Sequence, residues 1–135
     1  MKIEWSSDFK LGHELIDMHH ERLINLYNYL LDRIDFSDVY SKAVNELIDY
    51  ADYHFKEEEK LMIENDYVEF KDHKILHDAF LKDLKENIVK ADKNNIDEIL
   101  IFLRAWIINH VLHVDRKLAI FLRSSNQSGR KTYII

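Results

Sequence analysis

The stretch Tyr53-His54-Phe55-Lys56-Glu57-Glu58-Glu59-Lys60-Leu61-Met62 decides the fold. It sets a histidine and a carboxylate, His54 and Glu58, four residues apart. On a helix that spacing stacks both side chains on one face, one turn apart. The flanking residues extend the same stripe: Val44, Leu47, Ala51, His54, Glu58 and Leu61 recur at alternating steps of three and four. The pattern predicts a long helix from about Val39 to Glu64 with one buried side. An ionised Glu58 on that side is costly unless it is paired or metal-bound.

The same period recurs outward from this helix. Upstream, Ile16, His20, Leu23, Tyr27, Leu30 and Ile34 form a seam. Asp35-Phe36-Ser37-Asp38 then reads as a turn, with Ser37 or Asp38 as N-cap of the next helix. Asn65-Asp66 supplies the following turn. A third helix, from near Phe70 to about Ala91, carries Phe70, His73, His77, Phe80 and Leu84. After the polar turn Asp92-Lys93-Asn94-Asn95, a fourth carries Ile96, Ile99, Leu103, Trp106 and His110 and continues to about Leu122. Residues 1–15 read as an extended arm anchored by Trp5, Phe9 and Leu11, with Gly12 breaking the pattern. Residues from about 123 to 135 read as a polar tail. Four amphipathic helices joined by short polar turns predict an all-α, up-down-up-down four-helix bundle. The expected layout is a single domain over 1–135, with its arm at 1–15, bundle at about 16–122 and tail at about 123–135.

Bulk composition agrees. A chain of 135 residues fits one domain with a real core. With no Pro and two Gly, little breaks a helix. The absence of Cys excludes disulfides and thiolate metal sites, and fits a reducing compartment. A net charge of −6 argues against a general nucleic-acid binder. The N-terminus is too polar for a signal peptide, and the apolar run Ile99 to Ile108 contains Arg104, so no membrane span is expected. The cytoplasm is the expected location.

The histidines carry the chemistry. His20, His54, His73, His77 and His110 each fall on a predicted buried seam, and every helix contributes at least one. One histidine on an apolar face is ordinarily a satisfied core residue. Five of them with Glu58 in one bundle interior would ruin a plain core, whereas metal coordination satisfies them together. Asp115 offers a second carboxylate. Imidazoles mixed with carboxylates suit iron, zinc, copper or nickel better than magnesium or calcium. Seven ligands are too many for one tetrahedral ion and suit two ions sharing bridging carboxylates. The chain has no His-Glu-x-x-His, which argues against a zinc metalloprotease. It also lacks the Glu-x-x-His of ferritin-like di-iron proteins. His110 and Asp115 stand five apart, about 140° around a regular helix. By periodicity alone His113 is the more natural seam position, so either the helix is distorted there or His113 is the ligand.

Four blocks, in order, resemble the hemerythrin family, the non-haem di-iron oxygen carriers, and its bacterial members in particular. They are Ile16-Asp17-Met18-His19-His20-Glu21-Arg22-Leu23, His54-Phe55-x-x-Glu58-Glu59-x-Leu61-Met62, His73-x-x-x-His77 and Trp106-x-x-x-His110-x-x-x-x-Asp115. The match runs from Trp5 to Asp115. It implies Asp115 rather than His113 as the last ligand, and His20 rather than His19 as the first. It implies one iron on His73, His77 and His110, and a second on His20 and His54. Glu58, Asp115 and an oxo or hydroxo group would bridge them. The second iron would keep an open position for dioxygen, in a dry pocket lined by Leu23, Phe55, Trp106, Ile107, Val111 and Leu112. His13, His19 and His113 would be surface residues or partners of ligands.

The function implied is reversible dioxygen binding for storage, delivery or scavenging, without enzymatic turnover. Three alternatives stand beside it. The same centre could sense oxygen or redox state through a separate partner, since 135 residues leave no room for an output domain. It could handle peroxide or nitric oxide as an oxidoreductase. It could hold another metal, such as zinc, with no redox role.

Overall fold

The computed structural model describes residues 2–127. An extended arm, interrupted by a short 3-10 turn at Ser7–Phe9, leads into α1 (Glu14–Leu31). Then come α2 (Asp38–Glu64), α3 (Phe70–Val89) and α4 (Ile96–Asn109). Without a break, α4 passes through a π-helical turn, His110–Asp115, into α5 (Arg116–Gln127). Together α4, the π turn and α5 form the fourth rod of an all-α four-helix bundle.

Local chemistry sets the helix ends. At the start of α1, His13 caps the helix by accepting from the Ile16 amide on Nδ1 at 3.3 Å. The Asp17 carboxylate reaches back to the Leu11 and Gly12 amides at 2.7 and 3.2 Å, so the arm is tied to the first turn. Gly12 sits at φ 84°, and an added Cβ would lie 2.7 Å from Arg123 Nη1 of α5. Of the two candidate caps for α2, Ser37 accepts from the Tyr40 amide at 3.4 Å. The side chain of Asn65 closes α2 by donating to the Leu61 carbonyl at 2.8 Å.

The helical stripes face inward as their period requires. All six stripe residues of α2 are buried, as are Ile16, His20, Leu23, Tyr27 and Leu30 of α1. Ile34 lies beyond the end of α1 and is half-buried. On α4 the buried centre is Leu100, Leu103 and Ile107, whereas Ile99 and Trp106 are half-buried. In the arm, Phe9 and Leu11 are buried and Trp5 is half-buried, stacked on Phe9. Ile3 is a further buried anchor, its backbone paired in both directions with the Asn28 amide at 2.8–2.9 Å.

The fourth rod runs to Gln127, past the expected end near Leu122. Leu122 is its last buried apolar residue, and no Gly or Pro occurs before Gly129 to stop the helix. The rest of the expected tail, 128–135, lies outside the described residues. Among the described residues, no helix is long and apolar enough to cross a membrane.

Two residues on α4 make the energetic contrast plain. Leu103 is fully buried, and Ile101, two positions earlier, is 59% exposed. Leu103→Ala is expected to cost roughly 2–5 kcal/mol, cavity included. Ile101→Ala is expected to stay within about 0.5 kcal/mol. Denaturant midpoints at constant slope check both.

Candidate metal centre

Each rod delivers part of one buried polar cluster. His20 comes from α1, His54 and Glu58 from α2, His73 and His77 from α3, and His110 and Asp115 from the two ends of the π turn. All seven are 5% exposed or less. Their ligand atoms form two groups, each within 4.8 Å: Glu58, His73, His77, His110 and Asp115, and His20, His54, Glu58 and Asp115. The two carboxylates are common to both groups.

The carboxylate oxygens divide between the groups. Glu58 Oε2 lies 3.0 Å from His54 Nε2 and 3.4 Å from His20 Nε2. Its Oε1 lies 3.2 Å from His77 Nε2 and 3.4 Å from His73 Nε2. Asp115 Oδ2 lies 2.8 Å from His20 Nε2, and Oδ1 lies 3.0 Å from His73 Nε2 and 3.1 Å from His110 Nε2. Each carboxylate therefore turns one oxygen to each group, which is the arrangement that bridges two cations.

The π turn makes this possible. A regular helix would rotate Asp115 about 140° away from His110. Wider winding, with bonds from i to i+5, closes that angle and puts both residues on the inner face. Of the two alternatives the periodicity left open, Asp115 reaches the cluster, and His113 points outward and is exposed. Arg116 braces the turn: its Nε donates to the Leu112 carbonyl at 3.0 Å, and its Nη2 to the Asp8 carbonyl of the arm at 2.7 Å.

The donor set fits cations. Nε2 of His20, His54 and His73 and all four oxygens of Glu58 and Asp115 are buried without an aligned hydrogen bond. They stand at ion-pair distances from one another, and within each group the ligand atoms lie within 4.8 Å of one another. Orphaned polar atoms of this kind are expensive, and a coordinated cation in each group would satisfy them. Five imidazoles with two shared carboxylates suit a pair of iron ions.

Without a cation, the groups compensate electrostatically. Burial acts to lower the pKa of His20 and of His73, but contacts with Asp115 and Glu58 outweigh it and raise both to about 9. Burial pushes the two carboxyls upward, yet the surrounding imidazoles hold both well below the usual carboxylate range. His110 is lowered by burial.

Further residues support the ligand rings. His77 Nδ1 donates to Glu59 Oε2 at 2.9 Å, and His54 Nδ1 meets His19 Nδ1 at 3.0 Å. Phe55 stacks on His77 with centroids 3.9 Å apart, and Trp106 stacks on His110 at 4.2 Å and on Phe80 at 3.7 Å. Of the expected pocket residues, Leu23, Phe55, Ile107 and Val111 are buried, and Trp106 and Leu112 are half-buried. Two surface cavities reach the cluster's outer edge. One of about 420 Å³ includes Trp106, Asn109, His110 and His113 in its lining. Another of about 210 Å³ includes His73, Leu76 and His113. Of the histidines expected at the surface or behind a ligand, His113 is exposed and His19 stands behind His54, whereas His13 is buried and caps α1; Glu59 had no expected role, its one visible signal being its place next to Glu58.

A profile described as the Hemerythrin HHE cation binding domain matches residues 11–121. The chain belongs to the hemerythrin family. Bacteriohemerythrin of Clostridium acetobutylicum is 35% identical over 123 residues, covering 84% of this chain and 95% of that protein. Bacteriohemerythrin of Stenotrophomonas maltophilia is 31% identical over 123 residues, covering 85% of this chain and 78% of that protein. A wild-type hemerythrin crystal structure superposes with a TM-score of 0.79 at 26% identity, covering 90% of this chain and 98% of that chain. In this hemerythrin the ligand-type side chains thus arise from all four rods of the family's bundle.

The raised imidazoles have a consequence for the metal-free hemerythrin. His20 and His73 shift upward from 6.5 to about 9 on folding. Their stabilisation is complete below pH 6.5 and is lost as pH rises through 9. The lowered groups act on the other side: His110 and His19 lose stability as pH falls below 6.5, and the two carboxyls at still lower pH. Chelator-treated protein is therefore expected to melt at progressively lower temperature from pH 6.5 to 9. A melting temperature that is flat or rising across that window would contradict these couplings.

Proposed function

We propose that this hemerythrin binds dioxygen reversibly at a non-haem di-iron centre, for storage, delivery or scavenging. One observation carries the reading: two ligand groups, buried in the bundle, share Glu58 and Asp115. His73, His77 and His110 would hold one iron and His20 and His54 the other. Glu58 and Asp115 would bridge the pair, with a solvent-derived oxo or hydroxo group as third bridge. The ferrous pair would supply the electrons that bound dioxygen accepts and returns on release.

The chain's own part is to hold the pair and keep water away. The second group has one imidazole fewer than the first, which leaves room there for a small ligand. Leu23, Phe55, Ile107 and Val111, all buried, would line the pocket with apolar surface, and Phe55 stacks on His77. Trp106 covers one face of His110. Leu23, Phe55, Ile107 and Val111 carry no acid or base, which favours binding over turnover. The reading takes residues 1–135 as a single hemerythrin-like domain acting in the cytoplasm.

The cavities at the edges of His110 and His73 favour a second reading, an oxidoreductase that handles peroxide or nitric oxide, because they bring solvent close to the centre. An absorption spectrum separates the two. Protein loaded with ferrous iron without oxygen is expected to gain a visible charge-transfer band in air and lose it on degassing. Irreversible conversion to the diferric spectrum would sink the carrier reading.

Two substitutions probe the parts. His54→Ala or Glu58→Ala is expected to abolish loading with two irons, and normal loading of either variant would refute the ligand assignment. Trp106→Ala uncovers His110 and is expected to speed autoxidation several-fold. An autoxidation rate equal to that of the parent would remove Trp106 from this role.

A further inference from the structure

Ligand rings offer one nitrogen to the centre and the other outward, and the outward partners here are unlike. Behind His77 stands the Glu59 carboxylate, 2.9 Å from Nδ1. Behind His54 stands a second imidazole, His19, whose Nδ1 lies 3.0 Å from His54 Nδ1. His19 is 3% exposed, is flanked by the rings of Tyr50 and Tyr53 at 5.8 and 5.3 Å, and belongs to neither ligand group.

The contact between two Nδ1 atoms requires one ring to donate and the other to accept. His54 Nε2 lies 3.0 Å from Glu58 Oε2, on the side of the shared centre, and on the metal-site reading that nitrogen must be bare to hold a cation. The proton of His54 is better placed on Nδ1, where His19 accepts it. His19 then carries its own proton on Nε2. It is uncharged, because an imidazolium has no lone pair to offer.

We propose that His19 is a positioning residue for the two-histidine metal position: it locks His54 with a bare Nε2 toward the centre and gives it a neutral outer partner, in contrast to the carboxylate behind His77. This rests on the metal-site reading above. An anionic acceptor draws on the imidazole proton and strengthens the ring as a donor. A neutral acceptor orients the ring with less of that effect. The two positions therefore receive unequal electron donation from otherwise similar rings.

The test compares the full chain with His19→Leu, His19→Gln and His19→Glu. Cobalt(II) titration, followed by ligand-field absorption, reads the site without iron or dioxygen. His19→Leu removes the acceptor and is expected to weaken cobalt binding roughly 10–100-fold. His19→Gln keeps a neutral acceptor oxygen and is expected to restore most of that loss. In the iron-loaded protein, His19→Glu is expected to lower the midpoint potential relative to His19→Gln, since the two differ by one charge at nearly equal size. Leucine binding cobalt as tightly as the parent overturns the proposal, as do equal potentials for the Gln and Glu variants. If the Leu variant does not fold, the Gln and Glu pair decides. A parent chain that takes up fewer than two cobalt ions refutes the metal-site reading itself, which separates that failure from a failure of His19.

Discussion

The bundle depends on one constraint: five imidazoles and two carboxylates must be kept in a nearly dry interior and still be satisfied. Hydrogen bonds among them do not do this: beyond the contact between His77 Nε2 and His110 Nε2, Nε2 of His20, His54 and His73 and all four carboxylate oxygens are left without one. Positive charge at the centre does. In the absence of a cation, His20 and His73 furnish it by holding protons that imidazoles ordinarily release near neutrality. In the proposed metal-bound state a divalent cation would furnish it by coordination and displace those protons. Folding and loading are thus two answers to the same electrostatic demand. The burial of all seven groups makes the demand severe by keeping the local dielectric low.

Much of this was legible in the chain. Stripes at helical spacing predicted four rods, their turns and a cap at Ser37 or Asp38, of which Ser37 is the one that caps α2. Histidines on such stripes stood out because a buried seam has no ordinary use for them, and five of the seven cluster members were found in that way. Asp115 was different. Its place depends on a π turn, which is a property of backbone winding, and period counting assumes regular winding. The resemblance to hemerythrins pointed to it where periodicity did not. The far end of the fourth rod was also illegible: polarity after Leu122 resembles a tail, yet without Gly or Pro before Gly129 nothing in the sequence stops the helix.

The supporting partners were hidden for a plainer reason. His19 lies one position off the α1 seam, where a histidine is usually solvated, but Tyr50 and Tyr53 of α2 close over it. Glu59 sits in the run Glu57-Glu58-Glu59, which resembles a solvated acidic face. Only the crossing of α2 and α3 reveals that its carboxylate faces His77. Both cases concern which neighbour covers a residue, and a single chain's periodicity does not encode its neighbours.

The π turn has one more effect, felt beyond the centre. Regular winding from Ile107 would turn Val114, Leu118 and Phe121 inward. From the end of the turn onward, the buried residues among those described are Asp115, Leu118, Ala119 and Leu122, and Val114 and Phe121 are only half-buried. The turn works as a spacer of one residue that resets the phase of everything after it by about 100°. Between His110 and Asp115, the number of residues therefore carries information separate from their kind. A conservative exchange within 111–114 alters one side chain, whereas a one-residue gap re-aims the whole of α5. For this segment, the count of residues sets the direction of the helix that follows, whatever their kind.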